Sequence, residues 1–158
     1  MKAGHRDVNV IQRILRNHGL RATPQRLAVG GMVLSRPVHV TARAVWEALR
    51  KTHPAISMNT VYQTLGQFEA KGLLQRLEVG GVTVFDSNTT PHDHACCESC
   101  GAIEDVPAAG DTSGSCPRPP EEWPLGRPAG WKLTGVRRVW LGLCPACRAS
   151  GGEGAPPA

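Results

Sequence analysis

The sequence predicts an α+β fold in two modules, on three observations. Apolar residues recur at helical spacing from Val8 to about Lys71, and the period then falls to about two around Gly80-Gly81. Two C-x-x-C pairs, Cys97/Cys100 and Cys144/Cys147, follow, separated by 43 residues. Each pair sets two sulfurs on one tight turn, and two such turns close a tetrahedron around one soft divalent ion. Helices and a hairpin come first, and a small metal-closed module comes second.

Val8, Ile11, Ile14 and Leu15 form one helical stripe, which Gly19 stops. Thr23 before Pro24 reads as a cap followed by proline at the first helical position, opening a helix to about Leu34. Its expected stripe is Leu27, Val29, Met32 and Val33, and Pro37 breaks it. Thr41 caps a third helix with Ala44, Val45, Ala48 and Leu49 as its expected inward face, and His53-Pro54 ends it. Ser57 caps a fourth, to Lys71, with Val61, Leu65 and Phe68 inward and Gly72 as the stop. Leu74, Arg76 and Glu78 then lead through Gly80-Gly81 to Val82, Val84 and Phe85, a short hairpin with glycines at its turn. Helices followed by a two-stranded wing make a winged helix-turn-helix, with Ser57 to Lys71 as its recognition element.

Residues 89–106 read as a metal-bearing loop and a strand from Ala102 to Val106. Prolines and glycines through 107–130 exclude a stable helix over most of that stretch. Leu133 to Leu143 reads as a strand delivering Cys144 and Cys147, and the small residues from Ala149 read as a disordered tail. The expected domains are 1–88, a winged-helix DNA-binding domain, and 89–148, a metal-binding α/β dimerisation domain, with 149–158 as the tail. The second is too small to stand alone, so strand pairing across a two-fold axis is the expected completion of its core.

Charge follows the same division. Residues 1–88 carry 12 Lys and Arg against 5 Asp and Glu, whereas residues 89–158 carry 6 against 8. The pI near 9.1 therefore belongs to the first half, and double-stranded DNA is the expected partner of that half. Asn59, Thr60, Tyr62, Gln63 and Gln67 are expected on the exposed face of the recognition element, where amide, hydroxyl and phenol groups reach base edges or phosphates. Arg21, Gln25, Arg26, Arg43 and Arg76 are the expected phosphate contacts. No long apolar run and no secretory h-region occurs, so a cytoplasmic chain away from the membrane is expected, where thiolates hold metal in preference to forming disulfides.

His92 and His94 stand directly before the first cysteine pair, flanked by Asp86 and Asp105. A closed thiolate site beside an imidazole and carboxylate cluster suggests one metal for structure and a second for sensing. Cys96 and Cys116 lie outside the quartet and read as non-ligands.

Several stretches together resemble the ferric uptake regulator family. They are Leu20-Arg-Ala-Thr-Pro-Gln-Arg, Thr60-Val-Tyr with Leu65 and Gly72-Leu-Leu, the run His92-x-His-x-x-Cys-x-x-Cys-Gly, and the closing Cys-x-x-Cys. The resemblance implies a dimeric, metal-dependent repressor with Zn²⁺ on Cys97, Cys100, Cys144 and Cys147. Its peroxide-sensing branch is similar residue by residue, which implies His39, Asp86, His92, His94 and Asp105 as ligands of a regulatory Fe²⁺ or Mn²⁺. By the same resemblance Asp86 marks that branch, and bound Fe²⁺ reacts with peroxide to oxidise His39 and His92, releasing the DNA without enzymatic turnover.

Departures from the family occur at Gly135-Val136, where iron-responsive relatives often carry a histidine, and in the proline-rich run from Cys116 to Pro128, where they carry an acidic helix. Gln63 replaces an arginine found in many relatives. Three other readings remain. A repressor answering to Fe²⁺, Mn²⁺, Zn²⁺ or Ni²⁺ availability would keep its operator in peroxide. A zinc-stabilised interaction protein would lack salt-dependent DNA binding. A hydrolytic metalloenzyme would need an open zinc position and a general base, and no His-Glu-x-x-His occurs.

Overall fold

The computed structural model describes residues 7–90, 92–106, 130 and 138–151. The chain divides into two compact units, Met1–Thr89 and Thr90–Ala158.

The first unit begins with α1 (Val8–Asn17), α2 (Pro24–Val33), the two-residue strand β1 (His39–Val40), α3 (Ala42–Leu49) and α4 (Met58–Ala70). Each helix opens on a side-chain cap that satisfies an otherwise unpaired N–H: Asp7 accepts from Asn9, Thr23 from Arg26, Thr41 from Ala44 and Ser57 from Thr60. Ile11, Leu15, Val29, Val33, Val45, Val61, Leu65 and Phe68 interlock as one core. Gly30 permits the closest approach in it, since a Cβ there would stand 2.8 Å from Cγ2 of Ile11.

Two expected faces shift. On α2, Leu27 and Met32 are only half-buried. On α3, Ala44 and Ala48 are exposed, and the inward residues are Ala42, Val45 and Leu49, with Trp46 packed beside them. Residues three and seven positions on from Ala42 share its helical face, and Trp46 fixes the rotation by donating its indole N–H to the Ile56 carbonyl.

The chain leaves α4 through Gly72, whose φ of 70° admits no side chain cheaply. It then forms the hairpin of β2 (Gln75–Val79) and β3 (Val82–Asp86). Gly80 and Gly81 both have positive φ, 58° and 78°, as a tight two-residue turn between right-twisted strands demands. β1 adds to the other edge of β3, giving the sheet order β1-β3-β2. Spacing alone did not expect β1; two residues carry no readable period.

The second unit holds β4 (Asp93–Cys97), β5 (Ile103–Val106), β6 (Val139–Gly142) and the short α5 (Pro145–Ala149). β4 lies in the middle, antiparallel to β5 and parallel to β6. The expected metal-bearing loop is thus largely strand. Its residues Asp93-His-Ala-Cys-Cys include no β-branched or large aromatic side chain, so the strand is held by its ladder to both neighbours and has little propensity of its own. Only 139–142 of the strand expected over 133–143 is described as strand; 133–137, the 107–129 stretch and residues 152–158 lie outside the described residues. Ala149, expected to start the tail, closes α5. No helix among the described residues is long and apolar enough to cross a membrane.

Candidate metal centres and nucleic-acid face

The four expected cysteines meet because β4 and β6 run in parallel, with Cys97 level with Gly142, so both strands release their C-terminal turns at the same end of the sheet. Cys97 closes β4, and its carbonyl accepts the N–H of Gly101, folding Cys100 back beside it. Cys144 caps α5 and accepts the N–H of Cys147. One sulfur from each lies within 4.8 Å of the others. Sγ of Cys100 and Sγ of Cys144 are 3.7 Å apart, far beyond the ~2.05 Å of a disulfide. Sulfurs ~2.3 Å from a tetrahedral zinc stand about 3.8 Å apart, so the spacing fits that ion.

The electrostatics fit as well. The backbone N–H of Cys144, 3.3 Å from the Cys97 sulfur, together with that of Cys100, holds the Cys97 thiol down to about 6. Cys147 is pushed up to about 12: the nearby Ser99 hydroxyl favours its thiolate, but the sulfurs of Cys100 and Cys144, and burial, outweigh it. Four sulfurs this close cannot all be anions without a cation among them, and a divalent ion removes the conflict. Cys96 is buried with its thiol raised by that burial, and its sulfur faces the Cys97 carbonyl at 3.9 Å, outside the cluster. Cys116 lies outside the described residues.

At the opposite end of β4, His92 and His94 bring their Nε2 atoms to 2.9 Å. Nδ1 of His92 is 2.7 Å from the Thr90 carbonyl, which can only accept, so the ring proton sits on Nδ1 and the Nε2 lone pair faces His94. Asp105 pairs with His94 in register across β5, and its Oδ1 lies 3.3 Å from Nε2 of His92. Two nitrogens at right angles on an ion ~2.1 Å away would be about 3.0 Å apart, so these donors fit a borderline divalent metal. Asp93 points the other way. It is buried, and Arg138 and Trp140 hold it through contacts of 3.0 and 3.2 Å. Burial alone would raise its carboxyl, yet these partners bring it below the usual carboxylate range.

In the first unit, Asp86 ends β3 level with His39 of β1 on one side and Gln75 of β2 on the other. It is fully buried, with Oδ1 3.8 Å from Nε2 of His39. The Gln75 amide donates to Oδ2 at 2.8 Å and also to the Asn88 carbonyl, while the Asn88 N–H donates to Oδ1 at 2.7 Å.

The expected DNA-contact residues divide into two groups. Arg21, Gln25, Asn59, Tyr62 and Gln63 are exposed. Thr60 is half-buried, with its hydroxyl 2.8 Å from that of Ser57 inside the cap of α4. Arg26 donates to Oε1 of Gln67 from Nε at 3.0 Å and Nη2 at 2.7 Å, and to the Arg21 carbonyl at 2.9 Å. Arg76 pairs with Glu69 at 2.8 Å and lies over the Phe85 ring. These two arginines, and Gln67, are thus held by the protein, as is Arg43 by Glu47 at 2.9 Å.

Gln75, Asn88, the Thr90 carbonyl and the Asp93–Arg138 pair were not anticipated. One was findable: counting outward from Gly80-Gly81 puts Gln75 opposite Asp86.

The sequence matches the ferric uptake regulator family over residues 17–110. It is 39% identical over 92 residues to the peroxide-responsive repressor PerR of Staphylococcus saprophyticus, a stretch covering 58% of this chain and 62% of that protein. The chain thus spans about three fifths of the length of this relative. Among solved structures, the ferric uptake regulator from Pseudomonas aeruginosa with manganese superposes with a TM-score of 0.62 at 28% identity, covering 86% of this chain and 98% of that one. The Vibrio cholerae ferric uptake regulator gives 0.60 at 26% identity, covering 84% and 98%.

Proposed function

This chain belongs to the ferric uptake regulator family, and from that footing we propose that it is a metal-dependent, peroxide-responsive transcriptional repressor that binds operator DNA as a homodimer. The observation carrying the reading is the pair of ligand half-sets, His39 with Asp86 in the first unit and His92, His94 and Asp105 in the second. In this proposal one Fe²⁺ or Mn²⁺ draws both half-sets together. Asp86 and His92 stand six positions apart with five residues between them, a reach of about 20 Å at most, which lets one ion take ligands from both half-sets in this proposal.

The half-sets lie on opposite sides of the join between the units. Bonds from one ion to both would fix the winged-helix unit at one angle to the second unit, and their loss would free it. That is a coupling between two sites through two global states. Zinc on Cys97, Cys100, Cys144 and Cys147 keeps the second unit folded in either state. Homodimerisation is supported by β6, an edge strand of its described sheet, where Trp140 and Leu141 are exposed.

When bound, Fe²⁺ supplies the one-electron chemistry that lets peroxide oxidise a ligand. His39 and His92 are the receiving residues in this proposal: one peroxide oxygen joins an imidazole carbon, the displaced ring proton and the other oxygen leave in water, and the altered ring binds the ion poorly. One molecule responds once, so the reaction is a switch and the protein is a sensor with no turnover. The similarity to the peroxide-responsive repressor supports the choice of signal.

Fluorescence anisotropy with the zinc-loaded dimer and candidate promoter DNA tests the reading. Binding should require Mn²⁺, weaken linearly in log salt, and disappear in His39→Ala although that residue is not among the expected DNA contacts. Equal binding with and without Mn²⁺ would overturn it.

A further inference from the structure

Asp86, a proposed ligand, is gripped by a side chain that is not itself one. Three residues stand abreast across the first sheet: His39 on β1, Asp86 on β3 and Gln75 on β2. The Gln75 amide meets two acceptors, Oδ2 of Asp86 and the backbone carbonyl of Asn88. Both must receive a hydrogen, so the amide nitrogen faces them and the orientation of the group is fixed by chemistry. The Asn88 N–H closes the ring from the other side by donating to Oδ1, the oxygen nearest His39.

We infer that Gln75 is the positioning residue of the regulatory metal site, holding Oδ2 of Asp86 so that Oδ1 is the oxygen presented beside His39. The inference rests on Asp86 being a ligand, as proposed above. The carboxylate is fully buried, where an ionised group without donors is strongly disfavoured. With the Gln75 amide on Oδ2 and the Asn88 N–H on Oδ1, both carboxylate oxygens have a donor and the plane of the group is held. The Asn88 link also ties the last turn of the wing, and so the start of the segment toward His92, to the same amide. Residues that orient a metal ligand in this way alter affinity by about 10- to 100-fold when removed.

The test is Mn²⁺ titration of the zinc-loaded full chain, read by the EPR signal of the free ion, for Gln75→Met, Gln75→Ala, Asp86→Asn and the double variant Gln75→Met/Asp86→Asn. The expected result is about tenfold or more weaker Mn²⁺ binding in both Gln75 variants. Zinc content should stay unchanged, and the double variant should bind no worse than Asp86→Asn alone, because Gln75 acts through Asp86. Unchanged affinity in the Gln75 variants, with Asp86→Asn weakened, overturns the inference and leaves the site standing. So does a Gln75 loss of the same size in the Asp86→Asn background. Unchanged affinity in Asp86→Asn removes the site reading, and the inference with it.

Discussion

His92 and His94 turn their Nε2 atoms to 2.9 Å of each other, and the Thr90 carbonyl fixes the His92 tautomer so that a lone pair looks into that gap. A lone pair facing a second ring nitrogen at this distance is satisfied by a proton or by a cation between them. Replacing either histidine by alanine should therefore weaken Mn²⁺ binding by about 100-fold or more while the zinc content stays unchanged, because the cysteines lie at the other end of β4. Metal analysis alongside an Mn²⁺ titration reads both quantities.

Cys144 serves twice, as a member of the sulfur cluster and as the cap of α5. Cys144→Ser keeps a capping oxygen but removes a thiolate. The variant should lose its zinc and leave the second unit unfolded, since structural zinc contributes on the order of 10 kcal/mol to small domains. Zinc analysis and amide exchange of β4 and β6 check this; retained zinc with a protected β4 would count against the assignment.

Arg26 and Gln67 join α2 to α4 through two hydrogen bonds to one oxygen. Arg26→Met and Gln67→Met should each weaken operator binding by about tenfold, and the double variant should be no worse than either. The slope of log affinity against log salt should be unchanged in all three. In Arg21→Ala the slope should fall by about one, as for a lost phosphate contact. A fall of that size in Arg26→Met would make Arg26 a phosphate contact as well.

Asp93 is buried against Arg138, and its carboxyl lies below the ordinary range. A depressed carboxylate adds stability above its unfolded pKa of ~3.9 and loses it as the pH falls through the lower folded value. Asp93→Asn should thus cost about 2 kcal/mol, and the difference from the parent should stay flat from about pH 8 to 5.5. Denaturant melts at several pH values measure it: the difference should shrink only below about pH 5, and a difference that grows as the pH falls from about 8 to 5.5 would show a raised carboxyl.

Much of the fold is legible because its signals are local. Thr23, Thr41 and Ser57 cap helices where their positions before apolar runs place them, and Gly80-Gly81 specifies both turn and register. The rotation of α3 is less legible: Ala44 and Ala48 look apolar but are small, and Trp46 with Val45 decides which side turns inward. β4 reads mostly as loop in the sequence because a strand of Asp, His, Ala and Cys is made by its neighbours. The cysteine quartet and the His92/His94 cluster are legible from spacing and His39 only from the family resemblance, whereas the groups around them, such as the Thr90 carbonyl and Gln75, become visible only when register and backbone are known.

The most direct test of the sensing account is parallel exposure of two DNA-bound, zinc-loaded samples to low peroxide, one carrying Fe²⁺ and one Mn²⁺, both prepared without oxygen, followed by intact mass and peptide mapping. The account predicts release from DNA in the Fe²⁺ sample alone, with the mass of one oxygen atom gained at His39 or His92. Binding and mass unchanged in both samples would contradict it, leaving a repressor that answers to metal availability.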